Sequence, residues 1–234
     1  MRKIILFICM ALGLVHQGWG QNKSIDSLRI AFDQCYGLDV ILTNGKKYFP
    51  DSTPVVGHPY WKSKETFLGS LTISGRTFMN QQLKYELNKQ QFVLFYTNYN
   101  GQPCQIILNN TAIDSVRTGD CLFVPNKNPD IHQPFIQLIS TGNLTCYIVW
   151  NKELNLNTMG ATAGYEYTKD YSRYYLTYKG SDYRFKNKSS FLGVFNRKEK
   201  VSIRKYISSN GLKFKRMADN DLKKLIRFCE QTLI

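Results

Sequence analysis

Beyond an apolar N-terminal segment the chain has two histidines, His58 and His132, which are its best candidates for acid-base chemistry. His58 stands in GHPYW, where Gly57 tolerates unusual backbone conformations and Pro59 restricts His58 to extended geometry. His132 follows Asp130 in the proline-rich stretch NPDIHQPF, and no Gly-x-Ser-x-Gly motif accompanies either histidine. The sequence therefore favours a structural corner at His58 and a solvated loop at His132. It keeps His58, His132 and Asp130 as the candidates for a catalytic alternative.

Five cysteines follow the apolar segment: Cys35, Cys104, Cys121, Cys146 and Cys229. Their spacing includes no Cys-x-x-Cys, and the chain has no His-x-His or His-Glu-x-x-His motif. We therefore expect no metal site and no cofactor. A disulfide among Cys104, Cys121 and Cys146 stays open, and nothing in the spacing selects a Cys-His pair for a hydrolase.

A tyrosine-rich, basic segment near the C-terminus is the stronger functional signal, with seven tyrosines between Tyr165 and Tyr183. Aromatic rings interleaved with Arg and Lys can stack on sugars or bases while the cations meet phosphates or carboxylates. Alternatively, the segment is an ordinary edge hairpin, since tyrosine favours half-wet strands. The residues expected to bind are Arg173, Tyr174, Tyr175, Arg184 and Lys186.

Positive charge is concentrated in the same part of the chain. The sequence carries a net charge of +14, with 13 basic and 12 acidic residues over positions 21–172 but 16 basic and 5 acidic over positions 173–234. A one-signed segment indicates an anionic polymer or anionic lipid as partner, or else a solvated basic face. The chain carries no strong nucleic-acid signature. The helical residues open to either reading are Lys198, Lys200, Arg204 and Lys205.

Residues 1–20 have the pattern of a signal peptide. Arg2 and Lys3 precede an apolar run over residues 4–15, and Gly18 and Gly20 supply small residues at the cleavage positions. The run is shorter than the roughly 20 residues that cross a bilayer, and no later stretch approaches that length. We therefore expect a periplasmic or secreted protein with no transmembrane span once the signal is removed.

The periodicity predicts an α+β protein. A short N-terminal helix over 21–36 precedes an antiparallel β meander over 37–160, closed as a barrel or folded as a sandwich. Asn44-Gly45 predicts a hairpin at its start. Residues 161–234 then form a basic, Tyr-rich hairpin and C-terminal helices. In that hairpin, Tyr174 and Tyr175 fall on opposite faces of the strand.

Several of these segments, in order, resemble an exported protein family of unknown function that is frequent in the Bacteroidetes. The motifs are NGKKYF, GHPYW, FLGSLTISGRTF, LKYEL and FVLFY, followed by YYLTYKG, KNKSSFLGVF, IRKYISSNGLKFK and LKKLIRFCE. The resemblance implies that the protein is located in the envelope of a Gram-negative cell. It identifies no catalytic residue in this chain.

We expect a non-catalytic envelope protein that binds an anionic polymer or a protein partner through the basic end. One alternative is a hydrolase or transferase acting on envelope glycans or peptides, with His58 or His132 and Asp130 at its site. Another is a structural or assembly protein with no small ligand.

Overall fold

The computed structural model describes residue 28 and residues 38–50, 55–157, 164–214 and 217–232. The predicted signal peptide lies outside these residues. So does the predicted N-terminal helix over 21–36, apart from the helical and exposed Leu28. The chain divides into two compact units, Met1–Asn44 with Tyr96–Cys104 and Gly45–Phe95 with Gln105–Ile234. Within the described residues, no helix combines the length and apolar character needed to cross a membrane.

Fourteen strands and four α-helices are described. The strands are β1 (Gly45–Lys47), β2 (Val55–Val56), β3 (Phe67–Ile73), β4 (Arg76–Glu86), β5 (Gln91–Thr97), β6 (Pro103–Leu108), β7 (Ile113–Thr118), β8 (Cys121–Pro125), β9 (Phe135–Ser140), β10 (Leu144–Asn151), β11 (Leu154–Asn157), β12 (Gly164–Tyr167), β13 (Tyr171–Tyr178) and β14 (Ser181–Phe185). The helices are α1 (Val40–Thr43), α2 (Lys188–Gly193), α3 (Arg197–Ser209) and α4 (Asp219–Thr232).

Eleven strands form one antiparallel sheet in the order β1-β6-β5-β4-β3-β7-β8-β9-β10-β13-β14. A smaller sheet, β11-β12-β2, pairs β12 with β2 in parallel. The predicted α+β class with a mainly antiparallel body is confirmed. The predicted Tyr-rich hairpin is β13 and β14, and β13 pairs with β10, so the hairpin continues the large sheet.

Tight turns join the hairpins where the sequence has glycine. Ser74 and Gly75 between β3 and β4 have φ of 48° and 76°, and Lys179 and Gly180 between β13 and β14 have 52° and 77°. Positive φ at both loop residues is the geometry that matches the twist of paired strands. The predicted hairpin at Asn44-Gly45 is wrong. Residues 40–43 form the single helical turn α1, and Gly45–Lys47 forms β1, which pairs with β6.

The long sheet curls over on an aromatic core. The ring centroids of Phe92 on β5 and Phe135 on β9 are 5.0 Å apart, although five strand steps separate β5 from β9. A flat sheet with about 4.8 Å between strands would hold them about 24 Å apart. Tyr85 and Phe123 fill the space between, with centroids 5.3 Å apart. The sheet does not close into a barrel, because β1 and β14 end its strand order.

The C-terminal helices cover another part of the same face. Ile203 and Ile207 of α3 and Leu225 of α4 are buried in one cluster with Ile148 of β10 and Leu176 of β13. Asparagine side chains cap α2 and α3 through capping boxes. The apolar side chains of these helices therefore face the sheet.

A buried glutamine links the aromatic core to the helices. Gln137 on β9 donates from Nε2 to Asp219 Oδ2 at 2.6 Å, and its Oε1 accepts from Trp150 Nε1 at 2.7 Å. Because a buried amide without partners costs free energy, both bonds favour one arrangement of α4 on the sheet.

Replacing Phe123 tests the aromatic core. Its ring contacts Trp61, Tyr85 and Phe92, so Phe123→Ala removes packing on three sides. We expect the free energy of unfolding to fall by about 3–5 kcal/mol in urea titrations followed by tryptophan fluorescence. Met79→Ala, at a position 60% exposed, should change it by no more than about 0.5 kcal/mol. Equal effects of the two substitutions would contradict a packed core at Phe123.

Candidate functional site

The alternation of β13 divides the predicted binding residues between two faces of the sheet. Tyr174 faces the helices and contacts Phe185, with ring centroids 5.7 Å apart. Tyr175 faces the other way and stacks on Tyr147 of β10, with centroids 5.2 Å apart and planes 6° from parallel. The two tyrosines therefore contribute to different surfaces.

Arg173 and Arg184 share the face of Tyr175. Arg184 lies opposite Tyr175 in the β13-β14 pairing and is exposed. Arg173 donates from Nη2 to Gln133 Oε1 at 3.0 Å, which connects β13 to the loop between β8 and β9. Lys186 follows β14 and lines a small cleft with Tyr174 on the helical side. Of the five predicted binding residues, the structure groups Arg173, Tyr175 and Arg184, and separately Tyr174 and Lys186.

A groove of about 1080 Å³ lies on the face of the sheet opposite the helices. Its walls are residues 124–130 and the β13-β14 turn, and its floor includes Tyr147. Tyr147 donates from its hydroxyl to Asp182 at 2.8 Å, and burial together with this carboxylate raises the pKa of Tyr147. Asp114 and Asp130 also line the groove, against the single cation of Lys127. This acidic lining suits a neutral or cationic ligand better than an anionic one.

Asp130 lines that groove, whereas the loop histidine His132, two positions later, does not. His132 and Asp130 are both exposed, and Asp130 donates its backbone N-H to Asn128 Oδ1 at 2.8 Å. Within the described part of the chain, no hydrogen bond joins His132 to Asp130 or to His58. Asp130 and His58 line different cavities, and the three residues of the catalytic alternative form no hydrogen-bonded group among the described residues.

His58 occupies a corner held by a buried lysine. Lys152 has a side chain that is 4% exposed, and its Nζ donates to the backbone oxygens of His58 and Tyr60, each at 3.0 Å. The same Nζ forms an ion pair with Asp170 at 2.6 Å. Asp170 also accepts from the backbone N-H of Lys62 at 2.6 Å. One buried cation thus fixes the backbone on both sides of Pro59.

The ring of His58 is held in one tautomer. Its Nδ1 accepts from the backbone N-H of Tyr60 at 3.2 Å, so the neutral ring carries its hydrogen on Nε2. Burial lowers the pKa of His58, and the positive charge of Lys152 lowers it further, whereas Asp170 acts in the opposite direction. The neutral imidazole is therefore favoured near pH 7, with an N-H donor at Nε2.

The four cysteines within the described residues are all free thiols, so the disulfide left open among Cys104, Cys121 and Cys146 does not form. Burial raises the pKa of Cys121 and Cys146, and that of Cys229 to about 12. A thiol nucleophile needs its thiolate, so these three are poor nucleophiles. No group of three His, Cys, Asp or Glu side chains among the described residues is arranged to hold a metal ion.

Among the described residues, the strongest concentration of unpaired charge lies on α3. The helix carries five basic residues, which at 3.6 residues per turn fall within an arc of about 160° that begins at Lys200, about 20° from Ile207. Four are exposed and one is half-buried. These residues, which we call the α3 basic face, are Arg197, Lys198, Lys200, Arg204 and Lys205.

The one acidic residue of α3 is used elsewhere. Glu199 accepts from the backbone N-H of Asn196 at 2.8 Å and from the hydroxyl of Tyr178 at 3.1 Å, so it caps the helix and anchors it to β13. Among the described residues, no carboxylate forms an ion pair with the α3 basic face. Lys188 of α2 adds a further cation beside this face, because its Nζ donates to Ser208 Oγ at 3.2 Å.

Comparisons with protein-family models, curated proteins and solved structures find no match. The resemblance to the exported Bacteroidetes family therefore stays a prediction, and the candidate sites depend on this chain's own geometry.

Sequence reasoning included four of the five residues of the α3 basic face but missed Lys152. A single lysine after an apolar strand carries no local signal of burial, and its partner Asp170 lies 18 positions away. Arg197, the first residue of α3, was also missed.

Breaking the buried ion pair should destabilise the corner. Lys152→Met leaves Asp170 and two backbone oxygens without their cation, and we expect a loss of about 3 kcal/mol in the free energy of unfolding. Lys224→Met is the matched control, since Lys224 contacts Asp221 at 4.0 Å on the surface and should contribute less than about 1 kcal/mol. Equal losses in urea titrations would show that Lys152 is not a buried clamp.

The lowered pKa of His58 predicts a pH-dependent stability. Below its ordinary pKa of 6.5, the unfolded chain binds a proton that the folded site resists, because of burial and the charges of Lys152 and Lys64. Stability should therefore be complete above pH 6.5 and fall as the pH drops through the folded-state pKa. His58→Gln should flatten this fall in urea titrations between about pH 5 and pH 8. Parallel pH profiles for the two proteins would contradict the assignment.

Proposed function

We propose that this protein is a non-catalytic binding protein of the cell envelope that holds an acidic polysaccharide on the α3 basic face. The observation that carries the proposal is the clustering of five cations on one side of α3 without a carboxylate partner among the described residues. Unpaired like charges repel each other, and a polyanion relieves that repulsion. The signal-peptide pattern of residues 1–20 supports a location in the cell envelope.

The length of the face favours an extended polymer over a single ion. Thirteen residues at about 1.5 Å each make α3 about 20 Å long, and the seven-residue separation of Arg197 and Arg204 corresponds to about 10 Å. Lys198 and Lys205 repeat the same spacing. A flexible polyanion can therefore contact several cations at once, and Arg can bind carboxylate or sulfate groups through two hydrogen bonds.

The composition of the face argues against a bilayer. Membrane-surface helices bury a wide apolar face among the lipids, but the apolar stripe of α3 is already packed against the sheet. Among its outward-facing residues, Val201 is apolar and 68% exposed, between cations on both sides. Such a face offers contact with headgroups but little apolar area to insert.

The face also lacks the stacking surface of a single-stranded nucleic-acid site. Tyr206, the aromatic residue of α3, is half-buried and stacks on Phe228 with centroids 4.1 Å apart. Its ring is therefore unavailable to bases, which such sites bind largely by stacking. Contacts of charge with charge remain, and these suit an acidic glycan in the envelope.

Neutralising the face should weaken polyanion binding. We expect the triple substitution Arg197→Gln, Arg204→Gln and Lys205→Gln to lower the affinity for dextran sulfate by at least about tenfold, because fewer counterions are released. Binding of the wild type should weaken steeply with salt, and the logarithmic salt slope should be smaller for the variant. Fluorescence anisotropy with labelled polymer at several salt concentrations measures both.

A variant of equal net charge provides the control. Lys46→Gln, Lys224→Gln and Arg227→Gln remove three exposed cations that lie outside the α3 basic face. This control should bind within about threefold of the wild type, and a matching loss in both variants would mean that net charge alone attracts the polymer. Salt-insensitive binding by the wild type would overturn the proposal.

A further inference from the structure

A second, smaller cavity lies at the corner formed by His58. It encloses about 280 Å³, and its wall includes His58 and Pro59 of the corner and Lys84 of β4. Since one water occupies about 30 Å³ in the liquid, the space corresponds to about nine waters, at the lower end of ligand-binding pockets. The cavity can therefore take a molecule about the size of one sugar ring.

The polar groups of the cavity wall are mainly hydrogen-bond donors. Lys64 and Lys84 contribute two ammonium groups, and His58 contributes Nε2-H because its Nδ1 accepts from the chain. Tyr48 and Tyr60 add a hydroxyl pair, with 2.9 Å between the two oxygens. An anion matches a wall of this kind, since its oxygens accept several bonds at once.

The charge of the wall is not balanced within it. Among the described residues that line the cavity there are two lysines and no carboxylate. Glu65 acts on Lys84 but lies outside the wall, and Asp170 is already paired with Lys152. Lys84 is held between aromatic rings, with Nζ 4.3 Å from the ring centre of Tyr60 and 5.1 Å from that of Phe95. These two contacts hold the ammonium group of Lys84 at the cavity wall.

The corner is rigid before any ligand binds. Lys152 holds the backbone oxygens of His58 and Tyr60, and Pro59 accepts from the backbone N-H of Leu87 at 2.8 Å. Trp61 donates its backbone N-H to Tyr85 at 2.8 Å. A site that is already ordered loses little conformational entropy on binding.

We propose that this cavity binds a small organic anion, a carboxylate or phosphate group on a body about the size of a monosaccharide. The anionic group contacts Lys64, Lys84 and His58 Nε2-H, and the hydroxyls of Tyr48 and Tyr60 bond its neutral part. Two sources share this chemistry, a free sugar acid and the terminal unit of a longer acidic chain. The site is independent of the α3 basic face.

Binding of glucuronate tests the proposal, with glucose as the neutral probe. In calorimetric or NMR titrations of the whole protein, glucuronate or glucose 6-phosphate should bind with a Kd below about 10 mM, whereas glucose should not. Lys64→Gln and Lys84→Gln should each weaken anion binding by about tenfold. No binding of either anion at this level, or equal binding of glucose, would overturn the site.

Matched variants separate this site from others. Lys62→Gln changes a neighbouring lysine whose Nζ lies over the Trp61 ring and not in the cavity wall, so it should bind glucuronate within about twofold of the wild type. The α3 triple variant should also bind glucuronate normally, so the two proposals can fail separately. Loss of binding in the Lys62 variant equal to that in the Lys84 variant would contradict the cavity. Wild-type-like urea unfolding of Lys84→Gln confirms that its fold is intact.

A final experiment distinguishes a free sugar acid from the terminal unit of a longer acidic chain. A short oligosaccharide with its one carboxylate at the non-reducing end should bind as tightly as free glucuronate if the cavity receives chain ends, and more weakly if it receives the free acid. Both results support the anion site, and binding of that oligosaccharide without dependence on Lys84 would contradict it.

Discussion

The curl of the large sheet over its aromatic core is the constraint on which the rest of the structure depends. Contact between Phe92 and Phe135 requires that strands five steps apart approach each other, and the gain from burying these rings favours that bend. The His58 corner is attached to the same core through Trp61, whose ring lies 5.1 Å from Phe123 and 6.1 Å from Trp150. The corner, its cavity and Lys152, the residue that follows β10, are therefore positioned together.

The alternation of β10 and β13 places the acidic groove and the C-terminal helices on opposite sides of the sheet. Ile148 and Leu176 point toward the helices, whose outer side is the α3 basic face. Tyr147 and Tyr175 point to the opposite side, where Asp182 and Asp130 line the groove. The acidic lining of the groove repels a long polyanion, whereas the α3 basic face attracts it.

Local features of the fold could be predicted from the sequence, because the alternation of side chains along a strand and the residue preferences of turns each depend on only a few neighbouring residues. The opposite faces of Tyr174 and Tyr175 follow from strand alternation, and the turn at Lys179-Gly180 follows from its glycine. Asn44-Gly45 shows the limit of this reasoning, since Asp39 caps a helical turn just before it and the turn signal is not used for a hairpin.

Pairings between distant segments, such as Lys152 with Asp170, could not be predicted because no local pattern marks them. The cavity at His58 was missed for the same reason, as it joins residues from β4, the corner and β12.

Backbone hydrogen exchange with and without dextran sulfate tests the central claim most directly, because it locates the ligand without any substitution. The account predicts slower exchange confined to residues 188–209, which include α3 and the helix α2 that begins at Lys188. Protection centred on residues 124–130 and 177–182, which line the acidic groove, would contradict it.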